Sequence, residues 1–220
     1  MKLLLTSAGV KNASIRGALT DLLGKPIEES SALCIPTASY GHQEGGPAAA
    51  WRFVAGRAAT PLTELGWKSL GLLELTALPS MDEKQWVPLV QETDALLAGG
   101  GDATYLAHWM WQSGLADLLP SLRAIWVGVS GGSMVMTPCI GADFVSWGKA
   151  ESDRTLGVVD FAIFPHVDHE RFPDNSMEEA EKWAASLPVP SYAIDDQSAI
   201  KVTGDGVEVI SEGHWRHFGG

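Results

Sequence analysis

The chain has 220 residues, enough for one full α/β domain and too few for two comfortable ones. Its 27 acidic and 15 basic residues give a formal net charge of −12, so it lacks the excess of positive charge that neutralises the phosphates of nucleic acids or anionic membranes. We therefore expect one globular domain over residues 1–220 that binds neither nucleic acid nor membrane.

Cysteine usage and the N-terminus suggest a compartment. Cys34 and Cys139 lie in apolar surroundings and form neither a metal-binding nor a disulfide pattern, which favours a reducing environment. The opening MKLLLTSAG is apolar over only a few residues, so it predicts a first strand rather than a signal peptide. No apolar run approaches the length needed to span a bilayer. The expectation is a cytoplasmic protein.

The first 130 residues alternate between apolar, strand-like runs and helix-like segments, which is typical of a parallel sheet covered on both faces. The predicted strands are Lys2–Thr6, Ala32–Pro36, Ser69–Leu75, Ala95–Ala98 and Ala124–Val127. The predicted helices are Ser14–Leu23, Pro47–Arg57, Asp82–Val90 and Asp102–Ser113, the last with Asp102 as its N-cap. A polar loop, Thr37–Gly46, follows the second strand.

The pattern changes in the last third of the chain, where strands outnumber helices. The predicted strands are Phe144–Ser146, Val158–Phe164, Tyr192–Ile194, Ser198–Val202 and Val207–Ile210. One helix, Met177–Ala185, is predicted, and Gly204-Asp205-Gly206 is a hairpin turn. The fold expected is a three-layer α/β sandwich: a mostly parallel central sheet, helices on both faces, and an antiparallel C-terminal extension.

One short segment combines a strand, a tight turn and a helix start. Gly128 and Gly132 flank Ser130 with the G-x-S-x-G spacing of a nucleophile elbow, in which a strained turn exposes a serine hydroxyl above a sheet. The amides of Ser130 and Gly131 would lie at a helix N-terminus, where partial positive charge favours an oxyanion. The alternative is a glycine-rich turn that only packs or that holds a phosphate.

A second glycine cluster, Gly99-Gly100-Gly101-Asp102, also follows a predicted strand and opens a helix. Main-chain amides in such a turn can bind an anion, although a tight turn without a ligand is the alternative. The spacing matches neither the dinucleotide-binding fingerprint nor a P-loop, which argues against a nucleotide cofactor. Two such turns predict one crevice at the carboxyl edge of the sheet.

The third cluster is Phe164-Pro165-His166-Val167-Asp168-His169. His166, next to the conformationally fixed Pro165, can act as general base for Ser130. The alternatives are a metal site formed by His166, Asp168 and His169, or histidines with a structural role only. No role is assigned to the other histidines, which are His42, His108, His214 and His217.

The order of GGGDATYL, GVSGGS, Pro138 and FPHVDH resembles the peptidase E family, which comprises aspartyl dipeptidase and its cyanophycinase-like relatives. The resemblance covers roughly residues 2–202. It implies a class-I glutamine-amidotransferase-like fold and a serine peptidase that needs no metal or cofactor. It further implies a nucleophile at Ser130, a base at His166, and an oxyanion hole from the amides of Gly100, Gly101 and Gly131.

The sequence departs from the family pattern at three points. Gly131 stands where the family usually has alanine. The third catalytic residue of aspartyl dipeptidase is an acid some fifteen residues after the serine, and the nearest match is Asp143, thirteen residues on. Asp168, Asp195 and Asp196 are the other candidates for that acid. The arginine that binds the substrate aspartate in aspartyl dipeptidase has no match at the same offset, since the nearby Arg171 is displaced, and the resemblance therefore leaves aspartate specificity open.

The resulting prediction is a cytosolic serine peptidase or dipeptidase, monomeric or homodimeric, that hydrolyses short peptides through Ser130, His166 and Asp143. Two alternatives remain at this point. One is a catalytically inactive binding or regulatory protein on the same fold. The other is a metallohydrolase that uses His166, Asp168 and His169.

Overall fold

A computed structural model of the chain describes residues 1–204 and 206–219. Its strands are β1 (Leu3–Thr6), β2 (Ser31–Ile35), β3 (Ser69–Leu72), β4 (Ala95–Ala98), β5 (Ile125–Val129), β6 (Ala162–Phe164), β7 (Ser191–Ile194), β8 (Ser198–Thr203), β9 (Gly206–Ser211) and β10 (Trp215–Phe218). Its α-helices are α1 (Ala13–Leu23), α2 (Ala38–Gly41), α3 (Pro47–Val54), α4 (Glu83–Glu92), α5 (Ala103–Gln112), α6 (Leu115–Leu118), α7 (Gly131–Met134) and α8 (Met177–Ala185).

Within the described residues, the central sheet has seven strands in the order β3-β2-β4-β5-β1-β8-β9. The five strands from β3 to β1 are parallel to one another. β8 pairs antiparallel with β1, and β9 pairs antiparallel with β8. The expected fold class, a mostly parallel sheet with an antiparallel C-terminal extension, is confirmed.

The parallel strands are apolar on both faces because helices cover both sides of the sheet. In β1, Leu3 and Leu5 belong to one hydrophobic cluster and Leu4 to another, as the period-2 alternation of a strand requires. Trp126 of β5 is fully buried in the first cluster. Burial of each such side chain contributes about 1.5–3 kcal/mol, which makes the sheet a firm support for the loops at its edge.

A smaller sheet, in the order β10-β7-β6, lies apart from the central one. β6 and β7 are parallel, whereas β7 and β10 are antiparallel. Its core includes Phe164 of β6 and Trp183 of α8, whose ring centroids are 5.4 Å apart. This sheet positions the segment that follows β6, which carries His166 and His169.

Two predicted strands are corrected. Residues 144–146 form no strand, since Ala142–Phe144 is a 3₁₀ turn and the Ser146 amide donates to the carboxylate of Asp102. The strand predicted over 158–164 is limited to β6, because the amides of Val158 and Val159 both donate to the Met136 carbonyl. In both cases long-range hydrogen bonds override an apolar run that favours a strand.

Three short elements were not expected: α2 within the predicted loop, α6, and β10. The strands on either side of the predicted hairpin turn are antiparallel, while Asp205 itself lies outside the described residues. No helix within residues 1–204 and 206–219 is both long enough and apolar enough to traverse a bilayer.

The direction of the parallel strands determines where the site forms. Ser7 follows β1, Gly99 follows β4 and Ser130 follows β5, so all three lie at the carboxyl edge of neighbouring strands. This edge is where open α/β sheets bind their ligands.

Candidate active site

Ser130 occupies a strained turn between β5 and α7. Its backbone has φ 50° and ψ −114°, a conformation that non-glycine residues rarely adopt and that costs about 1–3 kcal/mol. Hydrogen bonds hold the turn in place: the Ser130 amide donates to the Thr6 carbonyl at 3.0 Å, and the Ser133 amide donates to the Ser130 carbonyl at 2.8 Å. The strand–turn–helix expected from the sequence is therefore present.

The glycine beside Ser130 is required by packing. A Cβ atom at Gly131 would overlap the carbonyl oxygen of Gly101, so the two glycine turns touch backbone to backbone. A Cβ atom at Gly100 would lie 3.5 Å from the Ser130 Cβ. The departure from the family's usual alanine at Gly131 thus has a structural reason in this chain.

Asp102 anchors the second glycine turn. Its carboxylate is buried, and one oxygen accepts hydrogen bonds from the Thr104 hydroxyl at 2.6 Å and the Tyr105 amide at 2.7 Å. The other oxygen accepts from the Ser146 amide and hydroxyl at 2.7 and 3.0 Å and from the Trp147 amide at 2.8 Å. Asp102 is the N-cap of α5, as predicted, and it also fixes the loop that follows the 3₁₀ turn.

The amides of Gly100, Gly101 and Gly131 donate no hydrogen bond to any residue in the described part of the chain. Gly100 and Gly101 line the same cavity as Ser130. Free main-chain donors next to a serine are the arrangement that an oxyanion hole needs.

His166 follows β6 after Pro165 and has a positive φ of 57°. Its amide donates to the Ser7 hydroxyl oxygen at 2.8 Å. Its Nδ1 donates to Oδ1 of Asp196 at 2.6 Å, and the Ser7 hydroxyl donates to the same carboxylate oxygen at 3.0 Å. With the Nδ1 proton held in this way, the neutral imidazole carries its lone pair on Nε2.

Asp196 is well shielded from solvent, with 19% of its side chain exposed. Burial opposes its ionisation, but the hydrogen bond and charge of His166, with smaller contributions from Ser7 and His169, lower the pKa of Asp196 below its usual value. His169 Nε2 lies 3.4 Å from the other carboxylate oxygen. The carboxylate of Asp196 is therefore the group that faces His166 and His169.

Asp143, the acid predicted to orient His166, lies elsewhere. It is exposed in the 3₁₀ turn Ala142–Phe144 and lines the cavity that contains Ser130. Its carboxylate makes no hydrogen bond or ion pair within residues 1–204 and 206–219. The structure places Asp196, and not Asp143, against Nδ1 of His166, because the segment after β7 ends at the same edge as the segment after β6.

The other two candidate acids are engaged with His214. Asp168 Oδ2 lies 2.9 Å from His214 Nε2, and Asp195 Oδ2 lies 3.1 Å from His214 Nδ1. Asp168 also accepts a hydrogen bond from the Met177 amide, so its carboxylate is held away from a joint site with His166 and His169. Across the part of the chain that the structure describes, no group of three histidine, cysteine or acidic side chains is arranged to hold a metal ion.

Ser130 and His166 line one cavity of about 430 Å³ at the carboxyl edge of the sheet. Ser130 Oγ makes no hydrogen bond within the described residues, and such contacts often tighten only when substrate binds. A larger groove of about 750 Å³ runs along α5 beside Tyr105 and Trp147, but neither Ser130 nor His166 lines it. The smaller cavity is therefore the candidate active site.

The sequence analysis did not identify Ser7, whose hydroxyl accepts a hydrogen bond from the His166 amide and donates one to Asp196. Its position directly after the first strand was an available signal, since residues there lie at the ligand-binding edge. His214 gave no signal, because β10 and the segment before it were not predicted.

The model of peptidase family S51 matches residues 3–210. The chain belongs to peptidase family S51. It is accordingly an enzyme of the serine-peptidase type.

Solved structures agree with this assignment at the level of the fold. A proposed peptidase E protein from Listeria monocytogenes EGD-e has a TM-score of 0.71 at 18% identity, covering 96% of this chain and 98% of that one. A peptidase from an acI-B1 Actinobacterium has a TM-score of 0.62 at 20% identity, covering 100% of this chain and 87% of that one. No curated protein matches the chain.

Proposed function

We propose that this family S51 peptidase hydrolyses short peptides with Ser130 as nucleophile, His166 as general base and Asp196 as the acid that orients the imidazole. The observation that carries the proposal is the shared cavity: Ser130 on its strained turn lines it together with His166, whose far nitrogen is bound by Asp196. The turn at Ser130 acts in this proposal as a nucleophile elbow.

In the first half-reaction, Ser130 Oγ attacks the carbonyl carbon of the scissile bond and its proton passes to Nε2 of His166. The Asp196 carboxylate stabilises the imidazolium through the 2.6 Å contact at Nδ1. The tetrahedral intermediate then collapses: the C–N bond breaks, and Nε2 returns the proton to the departing amine. The products of this step are a free amine and an ester on Ser130.

The second half-reaction repeats these steps with water. The water oxygen attacks the ester carbonyl while His166 Nε2 takes a proton from the water. That proton then passes to Ser130 Oγ as the C–O bond of the ester breaks. The free amides of Gly100, Gly101 and Gly131 stabilise the oxyanion in both halves. Removal of one such donor in other enzymes costs about 2.7–4 kcal/mol of transition-state stabilisation.

The size of the cavity supports short peptides as substrates. A volume of about 430 Å³ falls in the range of small-molecule sites, so it suits a few residues better than a folded chain.

We further propose that the enzyme acts in the cytosol, as a monomer or homodimer. Two buried, unpaired cysteines, Cys34 and Cys139, support a reducing compartment.

The inactive binding protein considered from the sequence has no support in the site. Ser130 and His166 are both present in one cavity, and Gly131 is accounted for by its contact with Gly101.

The decisive experiment is Ser130→Ala, assayed on a dipeptide library. Loss of a triad serine reduces kcat by about 10⁶-fold, and we expect a comparable loss with an unchanged Tm. Ser121→Ala, before the amino end of β5 and so at the other end of the strand from Ser130, serves as the matched control and should retain full activity. If Ser130→Ala keeps more than about a thousandth of the wild-type kcat, Ser130 is not the nucleophile.

A further inference from the structure

Two exposed carboxylates line the proposed active-site cavity. Glu44 belongs to the segment between α2 and α3, and Asp143 belongs to the 3₁₀ turn that follows α7. Among the described residues that line this cavity there is no lysine or arginine. The titratable side chains of the lining are therefore these two carboxylates and the imidazoles of His42 and His166.

Neither carboxylate is neutralised by the protein. Within residues 1–204 and 206–219, the side chains of Glu44 and Asp143 make no ion pair and no hydrogen bond. Other acids of the chain do find partners, such as Asp94 with Lys25 at 2.9 Å and Glu179 with Lys182 at 2.7 Å. The two cavity carboxylates thus keep their full capacity to bind a cationic group.

Both segments are tied to the site rather than free in solvent. The Gly46 amide, close to Glu44 in the chain, donates to the Ser39 carbonyl at 2.6 Å, and the Ser39 hydroxyl donates to the Gly100 carbonyl at 3.2 Å. Phe144, next to Asp143, packs its ring against Phe164 of β6 at a centroid distance of 5.1 Å. The segment that carries Glu44 is therefore held against the glycine turn at Gly100, and the segment that carries Asp143 is held against the strand before His166.

From this arrangement, which rests on the proposed function, we infer that the enzyme selects short peptides with a positively charged group near the scissile bond. Glu44 and Asp143 are the residues that determine this specificity. The cation is the side chain of lysine or arginine. Acidic side chains at the same place are disfavoured, since like charges repel and no basic residue lines the cavity to receive them.

The first experiment compares Lys-Ala, norleucine-Ala and Glu-Ala, whose first residues differ mainly in charge. We expect kcat/KM to be at least about tenfold higher for Lys-Ala than for norleucine-Ala, and lower again for Glu-Ala. The Lys/norleucine ratio should fall as salt rises, because exposed charges are screened. Acetylation of the amino terminus removes the α-ammonium from both peptides, so the Lys/norleucine ratio should persist in acetyl-Lys-Ala and acetyl-norleucine-Ala; loss of the ratio there would contradict recognition of the side chain.

Variants assign the preference to the two carboxylates. Glu44→Gln and Asp143→Asn should each lower the Lys/norleucine ratio severalfold, and the double variant should bring it close to one. Glu28→Gln is the matched control: it removes the same charge at the amino end of β2, the opposite edge of the sheet, and should leave the ratio unchanged.

A binding measurement keeps this inference distinct from the catalytic proposal. In Ser130→Ala, calorimetric titration should give a lower Kd for Lys-Ala than for norleucine-Ala, with the difference removed by Glu44→Gln plus Asp143→Asn. Hydrolysis without a charge preference would overturn the inference and leave the proposed function standing. A charge preference in binding without hydrolysis by the wild-type enzyme would support the inference and overturn the proposed catalysis.

Discussion

In the proposed mechanism, the imidazole of His166 can act on Ser130 only while its Nδ1 proton is held. Asp196 supplies the acceptor at 2.6 Å, and Ser7 fixes both partners by accepting from the His166 amide and donating to the carboxylate. A carboxylate at this position favours the tautomer whose lone pair is on Nε2. The proposed chemistry therefore depends on two residues, Ser7 and Asp196, that lie far from Ser130 in the sequence.

Replacement of Asp196 by asparagine tests this dependence. An amide can present its NH₂ group to Nδ1 and so favour the wrong tautomer, and we expect kcat to fall by about 10⁴-fold with little change in Tm. Asp143→Asn is the informative comparison, with an expected loss in kcat below about tenfold. Steady-state kinetics on one neutral dipeptide measures both. A larger loss for Asp143→Asn than for Asp196→Asn would return the orienting role to Asp143.

Gly131→Ala introduces the residue usual in the family. Because the new Cβ would overlap the Gly101 carbonyl, the two glycine turns must separate, and this overpacking should cost about 1–3 kcal/mol of unfolding free energy. The amides of Gly101 and Gly131 move with their turns, so kcat should fall as well. Gly17→Ala, where a Cβ meets no neighbour within 4 Å, is the control and should not destabilise the protein. Equal Tm and kcat in Gly131→Ala and wild type would contradict this account of the turn.

At the scale of elements, one histidine joins the segments that carry the site. His214, before β10, contacts Asp168 in the segment after β6 and Asp195 in the segment after β7. Asp168 is two residues from His166, and Asp195 is adjacent to Asp196. The contacts of His214 therefore help to hold His166 and Asp196, the proposed base and its orienting acid, next to each other.

We expect His214→Asn to lower kcat by about three- to tenfold with a smaller effect on KM, since a misplaced base slows the chemical step more than binding. Asp168→Asn should have a similar or smaller effect, and the double variant should be no worse than His214→Asn, because that single change already removes the contact with Asp168. His108→Asn, on α5 outside the cavity of Ser130, is the control. Additive losses in the double variant would show that His214 and Asp168 act independently.

The elements that follow a local pattern were predictable, and those fixed by distant contacts were not. β1, β2, β4 and β5 were expected because each is a continuous apolar run in a βα alternation. The 3₁₀ turn at Ala142–Phe144 was missed, since Asp102, some forty residues earlier, determines the path of the chain after it. The choice of Asp196 among four acids likewise required the relative placement of β6 and β7.

For the molecule as a whole, the fold class was predictable and the division into two sheets was not. The antiparallel extension is limited to β8 and β9, whereas β6, β7 and β10 form their own sheet. In β8, Ala199 and Ile200 are fully buried beside β1. β6 and β7 instead pack with α8 around Phe164 and Trp183. An apolar run of three or four residues does not identify which sheet it joins.

The lowered pKa of Asp196 has a consequence for the stability of the whole fold. Because the folded-state pKa is lower than the usual Asp value of about 3.9, the ionised carboxylate stabilises the native state above that pH. This contribution is lost as pH falls from about 4 through the lower folded-state value. Urea unfolding between pH 6 and pH 3 should therefore show a steeper loss of stability in wild type than in Asp196→Asn. Parallel curves would contradict the sign of the shift.

β1 lies between β5 and β8, so the centre of the sheet joins residues 3–6 to residues 126–129 and 199–202. During synthesis β1 leaves the ribosome long before β8, its antiparallel neighbour, has been made. Asp196, which precedes β8, emerges at the same late stage as that neighbour. A nascent chain that ends before residue 196 thus carries Ser130 and His166 without the carboxylate that contacts Nδ1 of His166, and in the proposed mechanism its base is not oriented.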